Sequence, residues 1–165
     1  MADFSSRQDL AQAFLQEAVY QSRARQAAGA ALAPDAGTPA GPTNCGLGRE
    51  AAIELGLSAR GTELFALLWP EPPAAGALER VQTVIRDWVA RQDELDRDRN
   101  HFLKAFRQRH GFDRARYTPE RLAAYEAGLA EVNERCDRDR ATAARALLAA
   151  AEAAPGPDPG PARPG

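Results

Sequence analysis

The spacing of apolar residues near the start of the chain is helical. Leu10, Phe14 and Ala18 recur at intervals of four residues, and Gln21 continues the same stripe at an interval of three, the period of one face of an α-helix. The pattern predicts a first helix over about residues 3–28. Ser5 or Ser6 is the expected N-cap, because a serine hydroxyl accepts a hydrogen bond from a free N–H group of the first turn.

Glycine and proline residues divide the chain into segments after this helix. Residues 29–47 are rich in both and are predicted to form a flexible linker. Two short helices are expected next, over about 48–56 and 59–69, and the prolines that follow end the second one. Residues 154–165 are again rich in proline and glycine. We expect this tail to be disordered, because it cannot bury enough apolar surface to offset its ordering entropy.

Between these segments, the pattern predicts two long helices joined by a short turn. The first runs over about 77–110, and its apolar residues fit a heptad repeat: Leu78, Val81, Ile85, Trp88, Leu95, Phe102 and Phe106. Gly111 is the expected residue after its end, since glycine tolerates the left-handed conformation found there. Thr118-Pro119-Glu120 marks the start of the second, which continues to about residue 153.

The short connection favours antiparallel packing of the two long helices. Folding the chain back about residue 114 predicts four contacts: Phe102 with Tyr125, Leu95 with Val132, Ile85 with Ala143, and Val81 with Leu147. The same register places the charged run 91–99 opposite the charged run 133–140. Both runs contain acidic and basic residues, so cross-helix ion pairs are available.

Composition supports an all-α fold of domain size. The 165 residues include 36 alanines but only five valines and two isoleucines, and strands select β-branched residues. We therefore predict an all-α protein with an N-terminal helix, a short helical pair, a long antiparallel hairpin and a disordered tail. The predicted units are an N-terminal helix (1–28), the linker (29–47), a helical domain (48–153) with its hairpin at 77–153, and the tail (154–165).

The net charge of −2 gives no general preference for nucleic acid, but the hairpin tip is locally basic. Residues 101–117 hold five basic side chains and one acidic one, interleaved with aromatic rings. Arginine and aromatic residues are enriched at protein interfaces. The predicted partner-binding residues are Phe102, Lys104, Phe106, Arg107, Arg109, Phe112, Arg114, Arg116 and Tyr117. In the alternative interpretation, the tip has only a structural role. Its basic side chains favour the negative C-terminal end of the helix dipole, and its aromatic rings close the hairpin.

Metal and thiol chemistry find little support in the chain. Asp98 and His101 share a helix face at a spacing of three residues, as in one half of a di-iron site, but the last helix contains no histidine. Cys45 and Cys136 show no ligand spacing, and we expect two free thiols. We therefore predict no bound metal and no cofactor.

Residues 48–69 resemble a helix-turn-helix motif. Ala52, with Gly56 four residues later and then Leu57-Ser58, follows the spacing of its turn. The segment that would contact DNA contains one basic residue, Arg60, and the acidic residue Glu63 lies beside it. The alternative is a small helical hairpin that packs its leucines and aromatic rings.

The leading functional prediction is a non-catalytic helical interaction module: an adaptor, a chaperone or a subunit of a larger assembly. The chain shows no phosphate-binding loop and no catalytic triad motif. The alternative is a small DNA-binding regulator, and an enzyme ranks third. A second apolar line on the long helix, Val84, Val89 and Leu103, calls for a covering partner or a homo-oligomer. No signal peptide or membrane span is evident, so the expected compartment is the cytoplasm.

Overall fold

The computed structural model of the protein describes residues 6–28, 57–71, 73 and 75–152. These residues form four α-helices and contain no strand: α1 (Arg7–Ala27), α2 (Ala59–Leu68), α3 (Ala75–His110) and α4 (Pro119–Glu152), with a 3-10 turn at Arg114–Arg116. The all-α prediction is confirmed. The predicted linker (29–47), short helix (48–56), tail (154–165) and Cys45 lie outside the described residues.

Short polar side chains define where the helices begin. Ser6 caps α1, and its Oγ accepts a hydrogen bond from the backbone N–H of Asp9 at 3.1 Å. The helix therefore begins at Arg7, four residues later than predicted. Ser58 caps α2 in the same way through Gly61, and Thr118 precedes α4 and accepts from the N–H of Arg121. Each cap satisfies a donor that the first helical turn leaves unpaired.

The helices α3 and α4 form the predicted antiparallel hairpin. Gly111 has a φ of 91° and ends α3 as expected. The rings of Phe102 and Tyr125 lie 6.4 Å apart, which confirms that predicted contact. The charged runs also pair across the hairpin, Arg91 with Asp139 at 2.8 Å and Arg135 with Asp98 at 3.0 Å. These side chains are partly exposed, so each pair contributes at most about 1 kcal/mol.

Helix α1 lies along the open half of this hairpin, parallel to α3. At its start, Gln8 donates a hydrogen bond to the carbonyl of Ala141 on α4. Near its end, Arg23 forms ion pairs with Asp93 and Asp96 on α3. Helix α1 therefore begins at the open end of the hairpin and reaches the level of Asp96 at Arg23, one turn before its own end at Ala27.

Helix α2 packs antiparallel against α1 through an aromatic cluster. The ring of Phe14 lies 6.2 Å from Phe65 and 6.1 Å from Trp69, and Ser58 donates to Glu17 farther along α1. All three rings belong to one core that also includes Leu15, Val19, Val81 and Leu147. The half-buried Val84 and Val89 pack against this core, so the basal part of the second apolar line is covered within the chain itself.

The core occupies only the base of the hairpin. Leu95 is the last buried residue of α3 and Ala144 is the first of α4. We call residues 97–134 the arm, because they extend beyond the contact of α1 with Asp96. No residue of the arm is buried, and its apolar side chains, Leu103 among them, are at most half-buried. The arm is thus a two-helix extension about 20 Å long.

Candidate functional site

The tip of the arm is closed by an aromatic cluster. Phe106 lies at its centre, with ring centroids 5.8 Å from Phe102, 4.5 Å from His110, 5.7 Å from Tyr117 and 5.3 Å from Tyr125. Phe102, Phe106 and His110 follow one another at intervals of four, so they share one face of α3. Packing of these rings holds the end of the arm together in the absence of a buried core.

Polar contacts fix the turn that follows. The hydroxyl of Tyr117 donates to the carbonyl of Gly111 at 2.6 Å. Asp113 accepts a hydrogen bond from the backbone N–H of Ala115 and forms an ion pair with Arg116 at 3.1 Å. The turn between the helices therefore has a defined conformation.

Two of the predicted basic site residues have acidic partners within the tip. Arg116 contacts Asp113. Arg114 contacts Glu126 at 3.1 Å, and its guanidinium lies 5.2 Å from the centre of the Tyr125 ring. Both side chains remain largely exposed, but their charges are compensated locally.

The nine predicted site residues therefore fall into three groups. Phe102, Phe106 and Tyr117 are half-buried in the aromatic cluster, and Arg114 and Arg116 form the local ion pairs. The remaining four are exposed and, within the part of the chain that the structure describes, have no ion pair or ring contact: Lys104, Arg107, Arg109 and Phe112. Phe112 is 80% exposed.

An open groove of about 710 Å³ runs beside the aromatic cluster. The rings of Phe102 and Phe106 contribute its apolar lining, and the small side chains of Ala105 and Ala124 come from α3 and α4. Arg109 adds a positive charge to the groove. The groove combines apolar surface with an unpaired cation, which suits an apolar side chain next to a carboxylate.

Sequence reasoning placed no residue of α4 in the site. Tyr125 and Ala124 both contribute, one to the cluster and one to the groove. The hairpin register could have identified both residues. Folding the chain back about residue 114 pairs residues whose numbers sum to about 228, so Tyr125 lies beside Phe102 and Ala124 lies beside Ala105. His110 was also missed, although it follows Phe106 by one helical turn.

Hydrogen bonds at the start of α4 act on the carboxyl of Glu120. Hydrogen bonds from its own backbone N–H and from the Thr118 hydroxyl lower the pKa of the Glu120 carboxyl. This carboxylate is the acidic residue of the first turn of α4, where a negative charge favours the helix dipole. Its shift is therefore explained by helix capping and does not indicate acid–base chemistry.

The other candidate sites have structural partners or lie apart. Asp98 accepts from Arg135, and His101 is exposed; among the described residues, no group of three histidine, cysteine or carboxylate side chains could hold a metal. The Cys136 thiol is half-buried and lies 3.5 Å from Oε1 of Gln92. No helix in the described ranges is long and apolar enough to cross a membrane.

Helix α2, the second helix of the motif-like segment, directs its apolar face inward. Leu64, Phe65 and Leu68 are buried in the core. On its exposed side, Arg60 lies 4.0 Å from Glu17. No protein-family model, curated protein or solved structure matches the chain.

Proposed function

We propose that this protein is a non-catalytic interaction module that binds a protein partner through the distal part of its arm. The observation that carries the proposal is an apolar groove with one unpaired basic residue, Arg109, in its lining and two more, Lys104 and Arg107, exposed outside the groove on the same helix. Lys104, Arg107 and Arg109 are exposed on α3 without acidic partners among the described residues, and Arg109 lines the groove. Arginine next to aromatic surface is a frequent anchor of protein interfaces.

The architecture supports the same proposal. The core that stabilises the fold lies in the base, and the arm carries the groove beyond it. A surface that contributes little to folding can be used for binding at small cost to stability. An adaptor, a chaperone or a subunit of a larger assembly would each use such a surface.

The test compares affinity capture by the wild-type chain with capture by the variant K104A/R107A/R109A. We expect the variant to retain its helicity, because substitutions at exposed positions usually change stability by less than about 0.5 kcal/mol. We expect capture of the partner to fall by a factor of about ten or more, which corresponds to a loss of about 1.4 kcal/mol. The matched control is R86A/R138A/R145A, three exposed arginines that lie outside the arm.

Two results would contradict the proposal. If the arm variant captures the same proteins as the wild type and the control, the basic tip is only a structural closure of the hairpin. If instead the wild type retains a salt-sensitive DNA or RNA complex that the arm variant loses, the partner is a nucleic acid. Nuclease treatment of the captured material separates this second result from protein binding.

A further inference from the structure

We infer that the partner of the groove is a second copy of this chain, packed arm against arm with both tips at the same end. This inference rests on the proposed function, because it assigns a partner to the same surface. It is carried by a charge difference between the two helices of the arm and by the placement of some of those charges, of opposite sign on the two helices, on the side that contains the groove.

The two helices of the arm carry opposite charge. On α3, residues 97–110 contain five basic side chains and one acidic one, a net charge of +4. On α4, residues 119–134 contain four glutamates and one arginine, a net charge of −3. Within the described residues, Arg97, Arg109, Glu131 and Glu134 form no ion pair. The arm therefore has a basic edge and an acidic edge that do not neutralise each other.

Two of the five basic side chains of α3 and three of the four glutamates of α4 lie on the groove side of the arm. Ala105 and Arg109 line the groove, and steps of four residues, each turning about 40° around the helix, extend this face through His101 to Arg97 at its outer edge. On α4, Ala124 lines the groove, and helical spacing extends its face to a set of exposed residues: Glu120, Ala127, Glu131 and Glu134. We call these two sets the basic strip and the acidic strip.

The opposite side of the hairpin is already occupied at its base. Helix α1 contacts Asp93 and Asp96 of α3 and, through Gln12, Arg140 of α4. Leu103 and Arg107 follow Asp96 on α3 at intervals of seven and four residues, so they lie on the same side of the hairpin as the contact with α1. On the face of α3 that carries the basic strip, the contact with α1 ends at Asp93, one turn before Arg97. Within the described residues, the groove-side residues of the arm itself are exposed and have no hydrogen bond or ion pair with α1 or α2, so a second arm could approach them.

A two-fold axis parallel to the arm is the symmetry that makes the charges complementary. This axis packs α3 of each copy against α4 of the other, and residues at the same distance from the two tips face each other. Arg97 then lies level with Glu131 and Glu134 of the second copy, and Arg109 lies level with its Glu120. The alanines of both strips allow the helices to approach closely. Reversing one arm would place α3 on α3, where basic side chains would repel each other.

The size of this contact sets its strength. The arm is about 20 Å long and two helices wide, so one face covers roughly 400 Å² on each copy. Stable complexes bury about 800 Å² per partner. We therefore expect a weak dimer whose population depends on protein concentration and on salt, because exposed charges are screened at high ionic strength.

The experiment is sedimentation equilibrium of the full chain over a range of concentrations, at low and high salt. We expect the wild type to dimerise at low salt and to dissociate as salt is raised. The variants R97E/R109E and E131R/E134R should each weaken dimerisation at least tenfold, because each leaves two strips of like charge facing each other. An equimolar mixture of the two variants should restore association, since each then supplies the charge that the other lacks.

Control variants carry the same charge changes on the base: R25E/R86E and E63R/E71R, all at exposed positions. Both controls should dimerise like the wild type. A wild-type chain that stays monomeric at every concentration at low salt would overturn the inference, and so would a dimer that neither strip reversal weakens. Such a result would leave the proposed function standing if K104A/R107A/R109A still loses its captured partner, so the two failures are distinguishable.

Discussion

The ring of Phe102 lies against the backbone of Gly128, in the space that a side chain at position 128 would occupy. The close approach lets α3 and α4 pack tightly in the arm, where no buried core holds them together. Phe102 cannot move away freely, because Phe106 and Tyr125 pack against its ring.

Overpacking against Phe102 costs about 1–3 kcal/mol, and alanine gains about 1 kcal/mol over glycine in a helix interior. We therefore expect Gly128→Ala to destabilise the protein by a net amount of up to about 2 kcal/mol. Urea unfolding followed by circular dichroism measures the difference. The control is Gly76→Ala, where the nearest atom would be Arg80 Nη1 at 4.0 Å, and it should be stabilising. If Gly128→Ala also stabilises the protein, the Phe102 contact does not constrain the arm. In a Phe102→Ala background, where the contact is absent, Gly128→Ala should become stabilising.

The two sides of α2 should respond very differently to truncation. Phe65 is fully buried between Phe14 and Trp69, whereas Leu67 is 59% exposed on the same helix. We expect Phe65→Ala to cost about 3–5 kcal/mol, since it removes a buried ring and leaves a cavity. Leu67→Ala should change stability by less than about 0.5 kcal/mol. Equal losses in urea unfolding would show that α2 does not dock on α1 through this cluster.

Hydrogen exchange should divide α3 into two parts. Residues 78–95 contribute buried side chains to the core, and residues 97–110 contribute none. Because local opening is easiest where few apolar contacts are lost, amides of the arm should exchange faster than those of the basal part. Exchange is measured by mass spectrometry at low protein concentration and about 0.5 M salt, because these conditions suppress association of the arms. Uniform protection along α3 would contradict this division.

The Glu120 carboxyl should titrate below its ordinary pKa of 4.5, because its own N–H and the Thr118 hydroxyl stabilise the charged form. A lowered folded-state pKa means that its contribution to stability is present above 4.5 and is lost as the pH falls through the folded value. Carboxyl NMR titration measures this pKa. Thr118→Ala should raise it toward 4.5, and an unchanged value would assign the shift to the backbone alone.

Local sequence signals predicted the hairpin well. Gly111 and Thr118-Pro119 fixed the turn, and heptad spacing then set the register that brings Phe102 to Tyr125. The docking of α1 could not be predicted in this way. Contacts such as Phe14 with Phe65 join residues far apart in the sequence, and no periodic pattern records which separate helices will meet.

The candidate site was predictable in composition but not in arrangement. The sequence indicated that bases and aromatic rings gather at the tip. It did not distinguish Phe102 and Phe106, which face Tyr125 across the hairpin, from Phe112, which is exposed. Nor did it show that Arg114 and Arg116 find acidic partners while Arg107 and Arg109 do not, because side-chain pairing in a turn depends on the backbone path after Gly111.

The division between base and arm also makes the length of the hairpin adjustable. The buried residues of α3 and α4 end at Leu95 and resume at Ala144, so the intervening heptads serve as a spacer between an anchor and a terminal surface. Removing seven residues from each helix would keep the facing positions aligned and draw the tip about 10 Å closer to the base. The core around Phe14 and Leu147 would need no repacking. The reach of the molecule is therefore set by counting heptads, and it can change during evolution or by design without altering how the base folds.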